Sequence, residues 1–389
     1  MTIWQEKQVK ELGDIVTGAT PSTKRKDFYG GSYNLISPTD LDKGKYITSA
    51  HKQLTKLGFE QCRSLPKNSI LVGCIGNVGK LGIVGDKISA TNQQINALIC
   101  NDDNNAEFIY YCFEKNRKLL KDSAVKTTIP ILNKTNFGNL KLSVPILPVQ
   151  RRISHILSIV QKAIEQQEKI IQTTTEMMKT LMNKLFTEGL RGEPQKQTEI
   201  GPIPESWEDV PFEKLATLQR GKDLTRAQFR DGLVPVAGSN GVIGFHDTAI
   251  SKAPGVTVGR SGSAGKVTVY DRDFWPHNTT LYVRDFHGNN PHFVGYYLKF
   301  LDLSRFKTGA SVPTLDRNSF KTLPVIVPSL MEQEHIVEVL DSVGNKIEIV
   351  ERKKTQLQSL FRTLLHELMT AKRRVDDLEF QQVNENIMS

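Results

Sequence analysis

Apolar residues recur at heptad spacing in two separate stretches of this chain, and no other feature restricts its fold as much. In 148–188 one row runs Ile153, Val160, Gln167, Thr174 and Leu181, beside Leu157, Ile164, Ile171, Met178 and Leu185. Residues 331–374 repeat both rows, with Ile336, Val343, Val350, Leu357 and Leu364 beside Leu340, Ile347, Lys354, Phe361 and Leu368. Seams spaced alternately four and three apart predict long helices that pack as a coiled coil. At 1.5 Å per residue each would run about 60 Å, too far for one ordinary domain core to cover. Each helix needs a partner along its length, and the nearest candidate is the other copy. An intramolecular helix pair is therefore expected. Paired antiparallel, the two would bring Lys354 together with Gln167 and Thr174 as a mid-helix polar layer that fixes register.

Ahead of each long helix lies a stretch of short β-rich runs and turns. In the first, strands are expected at 69–72, 81–84 and 95–99. A single helix is expected at 108–121, where Phe108, Tyr111, Cys112, Lys115 and Leu119 keep helical spacing. Pro145 and Pro148 end the last strand and open the long helix. The Gly, Pro and polar content of 191–204 reads as a linker. Trp207 then restarts the programme. Trp4, Leu12 and Gly18 recur as Trp207, Leu215 and Gly221, an offset of 203. The loop from Val72 to Lys80 recurs from Val258 to Lys266 at an offset of 186, and Asn92 maps to Asn278. Ile129-Pro130 aligns with Val312-Pro313 at an offset of 183, which holds through Gln150/Gln333 to Arg191/Arg374. The chain is a duplication whose loops vary while the helix keeps its length. Ser329 with Glu332 has the spacing of a capping box at the second helix. The expected class is α+β, with globular α/β domains at 1–147 and 205–330. Helices fill 148–190 and 331–376, the linker is 191–204, and a polar tail occupies 377–389.

The 389 residues carry a net charge of +9, a balance that leans toward a polyanionic partner. The first residues lack the apolar core of a signal peptide, and no run approaches a membrane span, so a cytoplasmic protein with no membrane partner is expected. Cys62, Cys74, Cys100 and Cys112 form no C-x-x-C and read as reduced thiols. The histidines show no H-E-x-x-H, so no metal site is expected. There is no G-x-S-x-G, and no catalytic constellation is found. The glycine loops are not Walker A: Gly73 and Gly79 have five residues between them, and Leu81 or Val267 follows the lysine. They read as β-hairpins whose glycines take positive φ, with Lys80 and Lys266 as candidates to lie on a phosphate backbone.

Other basic residues cluster in loops: Lys24, Arg25 and Lys26 in the first half, then Arg220, Lys222, Arg226, Arg230 and Arg260 in the second. Any one cluster reads as solvated surface. Residues 18–26 and 221–230 follow the same strand in both copies, however, and such side chains beside Ser, Asn and Gln reach phosphates and base edges. Asn77, Gln93, Gln94 and Asn96, with Ser239, Asn240 and Ser263, complete the candidate DNA-binding set.

Two variable domains, each followed by a helix of constant length, resemble the specificity subunit of type I restriction–modification systems. The residues that carry the resemblance are the Trp4 and Trp207 starts and the V-G-x-x-G-x-x-G-K loops. The Ile129-Pro130 and Val312-Pro313 segments, and the helix openings Gln150-Arg151-Arg152-Ile153 and Gln333-Glu334-His335-Ile336, complete them. The resemblance implies a non-catalytic DNA-reading subunit whose two target-recognition domains each read half of a split duplex sequence. The two helices would pair as an antiparallel coiled coil that sets the gap and docks two methyltransferase subunits, and restriction/translocase subunits would join through the complex. No cofactor would sit on this chain; S-adenosylmethionine, ATP and Mg would belong to the partners. A coiled-coil scaffold whose duplicated domains bind proteins is the competing reading.

Overall fold

A computed structural model describes residues 4–125, 128–306 and 314–375. The expected tail at 377–389 and the Val312-Pro313 pair lie outside these. Among the described residues four helices reach ten residues: α1 (Ala106–Lys115), α2 (Leu147–Thr187), α3 (Pro291–Phe300) and α4 (Leu330–Met369). The long pair, α2 and α4, has 41 and 40 residues. Helix α4 stops at Met369 rather than at 374, because Ala371 turns to φ +54° and the amides of Lys372 and Arg373 close on the Glu367 carbonyl. The single helix expected at 108–121 is two. Asn116, at φ −102° and ψ 28°, ends α1, and a short helix Arg117–Asp122 follows. The Asn116 amide side chain donates to the Cys112 carbonyl at 2.9 Å, satisfying the end of α1.

The chain divides into two compact units. The described residues up to Lys169 and those from Arg352 on form the first; those between Ile170 and Glu351 form the second. Each unit therefore holds the start of one long helix and the end of the other, and each packs them antiparallel. In the first, Ile153, Leu157 and Val160 of α2 share a core with Leu364, Leu365 and Leu368 of α4. In the second, Leu185 and Phe186 of α2 share a core with Ile336, Val337 and Leu340 of α4.

Every apolar seam position of the sequence pattern is covered. Ile153, Leu157, Val160, Leu185, Ile336, Leu340, Val350, Leu364 and Leu368 are buried; Ile164, Ile171, Met178, Leu181, Val343, Ile347, Leu357 and Phe361 are half-buried. Burial is deepest where a globular domain adds a third layer, each fully buried side chain contributing about 1.5–3 kcal/mol. The polar layer differs from expectation. Lys354 pairs with Glu168 at 3.2 Å, not with Gln167, because a lysine at a seam edge reaches past its neighbours to the nearest carboxylate. Gln167 and Thr174 are half-buried.

The globular parts share one plan. The first unit has a sheet in the order Gly13–Thr17, Ile95–Cys100, Ile70–Gly73, Leu81–Val84, with Tyr46–Ile47 added at the edge. The second has Thr217–Arg220, Thr280–Asp285, Gly255–Gly259, Val267–Tyr270 in the same order. Each also has a three-stranded sheet: Lys52–Leu54, Tyr29–Ile36, Ser89–Thr91 in one, and Gly241–His246, Val234–Gly238, Trp275–Pro276 in the other. The strands run at Ile70–Gly73, Leu81–Val84 and Ile95–Cys100, within one residue of the three expected. The linker stretch holds its own hairpin, Gln195–Thr198 with Gly201–Pro204.

A buried glutamine joins each domain to its long helix. Gln150 accepts from the Asn105 amide at 2.9 Å and donates to the Pro145 carbonyl at 2.8 Å. Gln333 accepts from the Asn290 amide at 2.9 Å and donates to the Pro328 carbonyl at 3.0 Å. Asn105 and Asn290 are the N-caps of α1 and α3, each accepting from amides of its own first turn. A second joint differs between the units. Buried Lys45 reaches Glu107 at 2.7 Å, Ser158 at 2.7 Å and the Tyr111 hydroxyl at 3.2 Å, and Tyr46 also donates to Glu107. In the second unit Tyr296 donates directly to Asp341 on α4 at 2.7 Å.

The expected capping box is half formed. Ser329 accepts from the Glu332 amide at 3.4 Å. The Glu332 carboxylate, though, is committed to the Trp207 indole at 3.1 Å and the Leu190 amide at 3.2 Å.

Candidate nucleic-acid interface

The glycine loops are hairpin connections, built alike. Gly73 donates to the Lys80 carbonyl at 2.8 Å and Gly79 to the Gly73 carbonyl at 2.9 Å. Gly259 and Gly265 make the same bonds to Lys266 and Gly259, both at 2.8 Å. Gly76 and Gly79 take φ of 73° and 88°, and Gly262 and Gly265 take 77° and 91°, a region that strains any residue with a Cβ. Asn77 and Ser263 stand exposed at the tips.

The lysine that ends each loop turns inward to a carbonyl. Lys80 donates to Pro38 at 3.2 Å. Lys266 donates to both the backbone and side-chain oxygens of Asn240 at 2.9 Å. An ammonium has three donors, so exposed Lys266 keeps one to offer while it braces the turn that follows Ser239. The first hairpin has a further brace. Arg117 donates to the Gly79 carbonyl at 3.0 Å and pairs with Asp42 at 2.8 Å. Burial works to raise the Asp42 carboxyl, but Arg117 and the Leu81 amide outweigh it and hold it below the usual carboxylate range.

The remaining candidates separate into free and committed side chains. In the first unit Lys24 and Lys26 are exposed. Arg25 is held by Asp27 through two bonds of 2.8 and 2.6 Å and lies over the Phe28 ring. Gln93 is exposed and accepts from Thr20 at 2.6 Å, while half-buried Gln94 accepts from Asn92 at 3.1 Å. Asn96 is removed from the set. It is buried, accepts from Thr17 at 2.7 Å and donates to the Leu132 carbonyl at 3.1 Å, so it is a strut between strands.

In the second unit Arg220, Lys222 and Arg226 are exposed, and exposed Arg230 pairs with Asp247 at 3.4 Å. Ser239 is half-buried. Half-buried Arg260 is anchored by its backbone, donating to Thr279 at 2.8 Å and accepting from Leu315 at 2.9 Å. The Lys222 backbone forms an isolated parallel β-bridge with that of His277, whose ring bonds Thr279 at 3.0 Å. Arg260 and Lys222 thus share one neighbourhood, which the sequence separates by nearly forty positions. The sequence pattern did not single out Gly241–His246, a strand beside this face with exposed Val242, Ile243 and Phe245. Its signal was a run of apolar residues flanked by glycine.

The four cysteines are free. Burial pushes the Cys74 thiol up to about 11 and Cys100 up to about 12, so neither is a thiolate nucleophile at neutral pH. Among the described residues, no group of three His, Cys, Asp or Glu is placed to hold a metal ion, and no helix is long and apolar enough to cross a membrane.

Two copies of one α+β domain, each locked to a long helix and each carrying the same glycine hairpin, define a duplicated recognition protein. The description "type I restriction modification DNA specificity domain" matches residues 1–174 and again 204–359. The chain belongs to that family, and as a specificity subunit it is a non-catalytic, sequence-recognising component. It is 25% identical to the type I restriction enzyme MjaVIII specificity subunit of Methanocaldococcus jannaschii, over 97% of this chain and 94% of that protein. The HindI specificity subunit of Haemophilus influenzae is 32% identical over 48% of this chain and 39% of its own. Among solved structures, the S subunit of a type I system from M. genitalium superposes with a TM-score of 0.69 at 17% identity, covering 94% of this chain and 96% of that one.

Proposed function

We propose that each unit reads one half of a split duplex-DNA target, and that the helix pair sets the gap and docks two methyltransferase subunits. Restriction and translocation subunits would join through that complex. S-adenosylmethionine, ATP and Mg would be bound by the partners, in the cytoplasm. The observation that carries this reading is the repetition of the Gln–Asn–Pro joint at Gln150 and Gln333. Two readers joined in the same way to helices of 41 and 40 residues would suit two half-sites at a fixed separation. Lysines and arginines around the hairpins would neutralise phosphates and set register on the duplex. Specificity would then come from a smaller number of side chains at base edges.

The test is to express the chain with its methyltransferase and map modified bases across a genome. Two short segments at one constant spacing support the reading. A single uninterrupted target, or modification that ignores sequence, overturns it.

A further inference from the structure

We infer that the second unit reads its half-site partly through an apolar β-ribbon that meets thymine methyl groups in the major groove. The inference rests on the DNA-reading function proposed above and assigns it a chemistry. The ribbon is the hairpin of Val234–Gly238 with Gly241–His246, joined through Ser239 and Asn240. Gly241–His246 is the edge of its sheet, yet Val242, Ile243 and Phe245 on it are 51%, 46% and 51% exposed. Exposed edges are ordinarily shortened or charged, because a free apolar edge invites association. The corresponding edge in the first unit obeys that rule: Lys52–Leu54 has three residues, with Lys52 exposed and Leu54 buried. The second unit departs from it, and a cluster of this kind marks a contact surface.

The surroundings identify what makes the contact. The segment bearing Arg226 and Arg230 packs on this strand: the Phe229 ring fills the place a Gly244 side chain would take, and the Arg230 amide donates to His246 at 3.2 Å. At the other end Lys266 grips Asn240. Asp231 and Asp247 are the nearby acids, and Asp247 is already paired with Arg230. An apolar strip whose rim holds Arg226, Arg230 and Lys266 against Asp231 and Asp247, a positive balance, complements a polyanion that has an apolar feature inside it. Duplex DNA is such a partner: its major groove admits a two-stranded ribbon, and the thymine 5-methyl is the apolar group on its floor. The register supports the same contact. A bulge between Val236 and Ala237 pairs them with Gly244 and Val242, which leaves Ile243 as the extra residue, and bulges re-aim side chains in this way.

The experiment uses the complete complex on its mapped target, replacing each thymine in turn, on both strands, by deoxyuridine. This removes one methyl and keeps every hydrogen bond. Binding should weaken about fourfold per contacted methyl, in one half-site only. Complexes carrying Phe245→Ser, or independently Val242→Ser, should bind the thymine and uracil targets more nearly alike while keeping sensitivity to the other half-site. The inference is overturned if no thymine replacement matters while binding stays sequence-specific, or if the second half-site contains no thymine. It is also overturned if Phe245→Ser abolishes self-association of the chain and leaves uracil discrimination unchanged, which would make the strip an interface between copies. Loss of sequence-specific binding on every DNA would instead sink the reading on which the inference rests.

Discussion

Trp207 donates its indole N–H to the Glu332 carboxylate at 3.1 Å, and both side chains are buried. The equivalent pair in the first half is Trp4 with Val149, where the tryptophan packs on Phe108 instead, at 6.0 Å between centroids. Glu332 also takes the Leu190 amide, three residues past the last residue of α2, so one carboxylate ties the exit of one long helix to the start of the other. Glu332→Ala should destabilise the chain by about 2–4 kcal/mol by leaving these donors without an acceptor. Glu332→Gln, which keeps an acceptor oxygen, should cost less than half as much. Urea unfolding of the two variants checks the order.

Gln150→Ala and Gln333→Ala should each cost about 1–3 kcal/mol, since a buried amide and a buried carbonyl lose partners. The effect should be local. Hydrogen exchange of the Asn105 amide should speed up in the first variant and that of Asn290 in the second, with neither affecting the other site. Equal acceleration at both sites would mean the joints are not independent.

The Asp42 carboxyl lies below its usual range in the folded chain. An acid whose value is depressed by folding contributes stability that is fully present above its unfolded value of about 3.9, and loses it as pH falls through the folded value. The first unit should therefore weaken below about pH 4. Asp42→Asn should be less stable at neutral pH and show a flatter acid limb. Thermal unfolding from pH 7 down to 3 measures both.

Free and committed cations should behave differently on DNA. Lys26→Ala should lower the slope of log affinity against log salt by roughly one unit on all sequences, as loss of one phosphate contact does. Arg25→Ala should change it less, because Asp27 already neutralises that guanidinium. Arg260→Ala should cost about 1–3 kcal/mol on the cognate target only and relax one position of one half-site. Filter binding across a salt series separates these outcomes.

The periodic parts of the fold were legible in the sequence. Both long helices, the strands flanking the glycine loops and the duplication follow from spacing, which is a local property. Chain ends and breaks were less so. Asn116 splits the expected helix, and Ala371 ends α4, because each backbone turn is settled by a particular hydrogen bond. Partner choice was least legible. Lys80, Lys266 and Asn96 look like free polar groups in sequence, but Pro38, Asn240 and Thr17 claim them across 42, 26 and 79 positions. The apolar strip at Val242, Ile243 and Phe245 was not singled out, because its exposure comes from its place at the edge of a sheet.

The joint at Gln150 and Gln333 is made in both copies with two main-chain groups, an asparagine amide on one side and a proline carbonyl on the other, and with one asparagine side chain, Asn104 at 3.4 Å or Asn289 at 2.8 Å. Substitution elsewhere in a reader leaves those groups where they are. The part of the molecule that must change for a new target is thereby chemically insulated from the part that must not. A reader can drift residue by residue, or be exchanged whole at the proline before each helix, and arrive at the same mounting.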